Sequence, residues 1–212
     1  MASTYLSRTF GSAGNQKTWT WSAWIKRSKL STNQVMFGNY TAGNIRQYIS
    51  FNTNNQLFMY GQVSGSDKVQ CNTTRVFRDT NAWYHIVCVA DTTNSTEADR
   101  LQLWVNGERQ SGGGTQPTQN LSMSVNDSNA FEIGRYNSGG YFDGYMSHAA
   151  LVDGQALAPT VFGETDSTSG IWKFKSPSGV TWGTNGFHLK FENSGNLGLD
   201  SSGNSNTFTV NG

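Results

Sequence analysis

The chain has 212 residues, with 24 Gly, only 3 Pro and 14% charged residues. That length suits one large β domain. Asn, Ser, Thr, Gln and Gly fill the intervals between apolar runs, a composition that disfavours long helices, while 7 Trp, 8 Tyr and 12 Phe exclude disorder. A net charge of +1 with a pI of about 7.8 lacks the concentrated basic face of a nucleic-acid binder, and no apolar run reaches membrane-spanning length.

The first strong strand is Thr18 to Lys26, where the period of two puts Trp19, Trp21, Ala23 and Ile25 on one face. It ends in the one basic cluster, Lys26-Arg27-Ser28-Lys29, which reads as a solvated strand end. Strands follow at Gln34 to Phe37, Gln47 to Phe51 and Gln56 to Tyr60, the last two joined by Asn52-Thr53-Asn54-Asn55 as a hairpin. A weaker strand covers Val69 to Phe77. The run Trp83 to Ala90 is apolar on both faces, the mark of a central strand covered on both sides. Leu101 to Val105 alternates again and ends in an Asn106-Gly107 turn, and the Gly-rich Ser111 to Thr115 reads as an exposed crossing. Ala130 to Ile133 and Tyr145 to Val152 complete the strands, and Gln155 to Phe162 is the one place for a helical turn. Regular strands between Gly/Asn turns, with no helices, predict an all-β, two-sheet antiparallel sandwich.

From about Thr165 the composition shifts to Ser, Gly and Asn, yet Trp172, Phe174, Trp182, Phe187, Leu189, Phe191, Phe208 and Val210 remain. Phe187 to Phe191 and Thr207 to Val210 alternate and flank the turn Asp200-Ser201-Ser202-Gly203-Asn204. Two arrangements are open for residues 166–212: they fold back as edge strands on the sandwich of residues 1–165, or they begin a truncated second domain. Fold-back is favoured, because an isolated tail leaves large apolar side chains in water at about 1.5–3 kcal/mol each. Cys71 and Cys88 form no disulfide framework. Cys88, inside an apolar run, reads as a buried free thiol, and pairing of the two is left open.

Three stretches carry a family resemblance. WTWSAWIKR (Trp19 to Arg27) looks like an early strand of alternating aromatics, and WYHIVCVADTTNSTEADRLQLWVNGE (Trp83 to Glu108) like a central hairpin. FEIGRYNSGGYFDGYMSHAALVDGQALAPTVFGE (Phe131 to Glu164) resembles a closing pattern of Ile-Gly, Phe-x-Gly and Ala-Leu. Together they resemble the concanavalin A-like jelly roll of laminin-G and pentraxin type, and DGQALAPTVFGETDSTSGIWK (Asp153 to Lys173) is similar to such modules in virion proteins of marine tailed phages. The resemblance implies a fibre, tail or capsid-decorating component made in a host cytoplasm. The opening Met1-Ala2-Ser3-Thr4-Tyr5, with no basic region or apolar core of a signal peptide, agrees with that expectation.

Chemistry is sparse. The Glu-x-Asp-x-(x)-Glu cluster that glycan hydrolases of this fold need is absent, and Glu97-Ala98-Asp99 lacks a third carboxylate, so no enzymatic activity is expected. His85, His148 and His188 stand on different strands without zinc-site spacing, and His85 reads as a structural residue. The loop Tyr136-Asn137-Ser138-Gly139-Gly140-Tyr141-Phe142-Asp143 offers aromatic rings for a sugar's CH face and amide or carboxylate groups for its hydroxyls, with Trp172 and Trp182 as further candidates. Packing of these rings against the sandwich is the alternative. Calcium is the ion the resemblance implies, with Asn137 and Asp143 as candidate ligands and turn capping by Asp143 as the alternative. The leading expectation is a noncatalytic virion-surface module binding carbohydrate on host or environmental surfaces. The next is a structural domain gripping other virion proteins, and the third a glycan hydrolase. Self-association on the particle is left open.

Overall fold

The computed structural model describes residues 4–41, 45–137 and 139–212. Ser138, in the candidate loop, and Met1-Ala2-Ser3, at the start of the chain, lie outside the described residues. The strands are β1 (Tyr5–Thr9), β2 (Thr18–Arg27), β3 (Gln34–Thr41), β4 (Ile45–Phe51), β5 (Gln56–Val63), β6 (Ser66–Val76), β7 (Tyr84–Asp91), β8 (Leu101–Val105), β9 (Glu108–Arg109), β10 (Gly112–Thr115), β11 (Ala130–Ile133), β12 (Gly144–Asp153), β13 (Gly163–Thr165), β14 (Trp172–Phe174), β15 (Phe187–Leu189) and β16 (Thr209–Asn211). Short 3₁₀ turns stand at Glu97–Asp99 and Pro159–Val161, and among the described residues no helix is long and apolar enough to cross a membrane. An eight-stranded sheet runs β10-β6-β5-β4-β3-β11-β1-β16, a six-stranded sheet runs β15-β12-β2-β7-β8-β9, and β13 pairs with β14. The ladders are antiparallel, so the all-β, two-sheet sandwich read from the alternation is the fold observed.

The core lies where the phase of two puts it. Trp19, Trp21, Ala23 and Ile25 of β2 are fully buried and meet Phe37, Ile49, Phe51, Leu57, Met59 and Phe131 from the other sheet. Trp21 stacks on Phe37 across the interior at 5.7 Å, and Phe37 on Phe131 at 5.3 Å. β7 lies between β2 and β8 and is buried along nearly its whole length. Its doubly apolar sequence fits that central place.

Three sequence expectations change. The Gly-rich crossing is the edge strand β10, because Gly112 and Gly114 approach β6 too closely for any side chain. A Cβ there would lie 2.0 Å from the Asn72 carbonyl oxygen and 1.7 Å from that of Gln70. β1 escaped notice because Leu6 is its one buried residue, and its partners β11 and β16 come from distant sequence. Arg27 is not solvated. Its guanidinium is fully buried, donates to the Phe77 carbonyl at 2.5 Å and to Asn55 Oδ1 at 3.2 Å, and sits 4.3 Å from the Phe51 ring centroid. Burial lowers its pKa to about 10, which leaves it a cation held by neutral acceptors and an aromatic face.

The tail joins both sheets. β15 pairs with β12 and β16 with β1, and Phe187, Leu189 and Phe208 enter the common core. Two acids, Asp153 buried and Asp200 half-buried, arrange the connections. Asp153 accepts from Asn15 N at 2.7 Å, Asn126 Nδ2 at 2.9 Å and Asn185 N at 3.0 Å, tying three loops together. Asp200 accepts the backbone N–H groups of His188, Ser202 and Asn206 at 2.8–2.9 Å, which shapes the Asp-Ser-Ser-Gly-Asn turn. Phe187 packs edge-on against Phe208 at 4.7 Å. Phe187→Ala is therefore expected to destabilise the whole protein by about 3–5 kcal/mol in denaturant unfolding; a loss under about 1 kcal/mol would show that the tail is dispensable to the core.

Candidate functional site

The two outer faces of the sandwich differ. On the six-stranded side, the outward residues Thr20, Ser22 and Trp24 of β2 and His85, Val87 and Val89 of β7 would face water, but the segment after β12 lies across them. Each of the chain's three histidines seats one aromatic ring from that segment. Trp172 donates its indole N–H to His85 Nδ1 at 3.0 Å and stacks on that imidazole at 5.9 Å, while His85 Nε2 meets Ser22 Oγ at 2.9 Å. Phe174 stacks on His148 at 3.7 Å, and Trp182 on His188 at 5.7 Å. Gly107 and Gly163 make the slot for Trp172, since a Cβ on either would lie 2.6 Å from its ring. Trp182 joins a second small core with Ala150, Val152 and Phe162. The structure thus places Trp172 and Trp182 in a third layer over the six-stranded sheet.

On the eight-stranded side no such layer is formed by the described residues, and the outward phase is aromatic. Ile49, Phe51, Leu57 and Met59 point inward, so Tyr48, Phe58 and Tyr60 between them point out. Tyr48 lies directly opposite Tyr60 in the ladder, with ring centroids 5.1 Å apart, and Phe58 is 6.2 Å from Tyr48. Tyr136 folds over from the loop after β11 and meets Tyr48 at 5.0 Å and Tyr40 at 5.6 Å. A tight turn brings it there, with reciprocal backbone bonds between Tyr136 and Gly139 at 2.9 and 3.1 Å. Burial against these neighbours pushes the Tyr136 phenol up to about 12.

Polar groups flank the rings. Asp67 accepts from the Tyr60 hydroxyl and from Gln70 Nε2 at 2.8 Å and Gln62 Nε2 at 3.3 Å. Burial, then the bond to Asp67, raises the Tyr60 phenol to about 12. Arg46, exposed on β4, stands 5.9 Å from the Tyr40 ring centroid. The result is a half-buried tyrosine ridge edged by amides, one carboxylate and one guanidinium. Such a surface makes apolar contact and many hydrogen bonds at low conformational cost.

The loop candidates separate. Tyr136 belongs to this ridge. Tyr141 turns instead toward Arg135, whose guanidinium lies 5.9 Å from its ring and 3.3 Å from that of Tyr5. Asp143 is exposed and lines a cleft of about 270 Å³ with Lys29, Thr32, Asn33 and Tyr141. Asn137 is exposed, its backbone N–H donating to Glu132 Oε2 at 3.0 Å, and Glu132 is already paired with Arg135. Calcium requires about six to eight oxygens. The Asp143 cleft offers one carboxylate beside an ammonium, and among the described residues no three acidic, His or Cys side chains gather. This set does not fit a hard dication. Tyr40, Arg46, Tyr48, Phe58, Tyr60 and Asp67 were not singled out from sequence. Their signal was present: β4 and β5 carry large apolar side chains in both phases, unlike a strand with one wet face.

A family profile described as the concanavalin A-like lectin/glucanases superfamily matches residues 2–161. No curated protein matches the sequence. The native heptameric SAP-like pentraxin of Limulus polyphemus is 16% identical over 73% of this chain and 71% of its own, with a TM-score of 0.52. Domains LG4-5 of the mouse laminin alpha1 chain are 10% identical over 69% of this chain and 38% of their own, with a TM-score of 0.50. At such identities the likeness is one of fold.

The histidine seats make the third layer sensitive to acid. Burial lowers His188 to about 4 and His85 to about 3, and it lowers His148 as well, with the charge of Lys190 adding to the effect at His148 and His188. An unfolded imidazole titrates near 6.5. Below that pH the unfolded chain takes up protons that the folded chain does not, so stability present above about 6.5 is lost as pH falls toward about 4. Thermal unfolding is expected to show a Tm lower by about 5 °C or more at pH 4.5 than at pH 7. An unchanged Tm over that interval would mean the imidazoles are not desolvated.

Proposed function

The chain belongs to the concanavalin A-like lectin/glucanase superfamily, and on that premise we propose that it is a noncatalytic carbohydrate-binding module whose glycan lies on the tyrosine-rich outer face of the eight-stranded sheet. The observation that carries this reading is the asymmetry of the two outer faces. One is covered in large part by the chain's own tail, and the other presents Tyr40, Tyr48, Phe58, Tyr60 and Tyr136 with no covering layer among the described residues. Tyrosine hydroxyls, the Gln62 and Gln70 amides and the Asp67 carboxylate supply the directional bonds that sugar hydroxyls need.

Noncatalytic action is supported by the state of the acids on this face. Asp67 is engaged by three donors, and Glu132 is tied to Arg135. Glycoside hydrolysis requires two carboxyl groups flanking the scissile bond at about 5–10 Å separation. The resemblance of Asp153 to Lys173 to phage virion modules supports a place on a virus particle, where weak single contacts multiply with copy number. Detection of the chain in purified particles tests that location.

A tetramerised form of the protein on a glycan array is expected to retain at least one class of glycan and to release no reducing ends from it. Tyr48→Ala and Tyr60→Ala are each expected to weaken retention about tenfold or more, while the lost stacking of this half-buried pair lowers stability by about 0.5–1.5 kcal/mol beyond the area term. Binding that survives both substitutions but is lost in Tyr141→Ala would move the site to the sandwich rim.

A further inference from the structure

We propose that the Arg46 corner of the tyrosine face is an oxyanion site, so that the glycan it takes is acidic, its carboxylate or sulfate held by the Arg46 guanidinium with the Tyr48 hydroxyl. This rests on the binding reading above and names its ligand class.

Arg46 is exposed, and among the described residues it enters no ion pair. It stands 5.9 Å from the Tyr40 ring centroid; Tyr40 meets Tyr136 at 5.6 Å and Tyr136 meets Tyr48 at 5.0 Å. One cation and three phenols therefore share a corner. The Tyr136 hydroxyl is buried, so Tyr136 serves this corner through its ring, which packs against Tyr40 and Tyr48. Burial raises the Tyr48 phenol while the charge of Arg46 opposes it, so Tyr48 stays a protonated donor within reach of the guanidinium's field. The carboxylates of this face have partners of their own: Asp67 is held by Tyr60, Gln62 and Gln70, and Glu132 by Arg135. The corner thus joins a phenol donor to a guanidinium that makes no ion pair among the described residues. A guanidinium fork with an adjacent O–H group matches a carboxylate or sulfate, and a neutral sugar would leave the charge without a counterpart.

Two matched polymer pairs test this. Polygalacturonate and its methyl ester share a backbone with and without carboxylates, and dextran sulfate and dextran do so for sulfate. In calorimetric titrations of the full chain at about 0.15 M salt, one acidic polymer is expected to bind about tenfold or more tightly than its uncharged counterpart. Which pair shows the gap distinguishes carboxylate from sulfate. Arg46→Gln and Tyr48→Phe should each narrow the gap, Arg46→Lys should restore part of it, and Arg78→Gln, which removes the same charge from another exposed position, should leave it intact. Equal binding of charged and uncharged polymers, or equal losses in Arg46→Gln and Arg78→Gln, overturns the oxyanion site while glycan binding itself stands. Binding of none of the four overturns it as well, and a blank glycan array beside that result removes the binding reading too.

Discussion

The seating of three tail rings on three histidines decides which surface of this molecule is free. A two-sheet sandwich has two outer faces, and nothing in the alternation of its strands makes one more available than the other. Here Trp172, Phe174 and Trp182 stack on His85, His148 and His188 and close the six-stranded side. The aromatic side chains on the opposite face receive no such cover. That asymmetry supports the proposal that the tyrosine ridge, rather than the loop rim, takes a ligand.

The tail stays in place through both apolar and polar means. Phe187, Leu189 and Phe208 extend the shared core, and the burial of such side chains supplies most of the attraction. Apolar burial alone does not fix one arrangement. Asp153 and Asp200 do that, each gathering backbone N–H groups from separate segments into one set of directions. Buried Arg27 acts similarly at the other end of β2, binding the carbonyl of Phe77 and the side chain of Asn55. Each such group is satisfied by several partners at once, the condition under which a buried polar network specifies a structure instead of weakening it.

Sequence showed the inward half of the molecule well. Trp19, Trp21, Ala23 and Ile25 announce a buried strand face, and the run from Trp83 announces a strand covered twice. What covers β7 on its outer side was not legible, because the rings that do so lie more than 80 residues later in the chain. Strand β10 was misread for a related reason: glycines usually mark crossings, and only the closeness of Asn72 and Gln70 makes them a strand requirement. Of the candidate site, Tyr136 was visible from its loop. Tyr48 and Tyr60 were hidden among strand residues, and their pairing depends on the register of β4 against β5. Their outward phase becomes informative only once Ile49 and Met59 are known to fill the core.

The binding-face assignment is tested most directly by mapping backbone amide shifts in the NMR spectrum while a retained glycan is added. The amides of β3, β4 and β5 around Tyr40, Tyr48 and Tyr60 are expected to move in proportion to occupancy, with those of β7 and β14 unchanged. Shifts gathered instead at Tyr141 to Asp143, or along the third layer at Trp172 and Trp182, would contradict it.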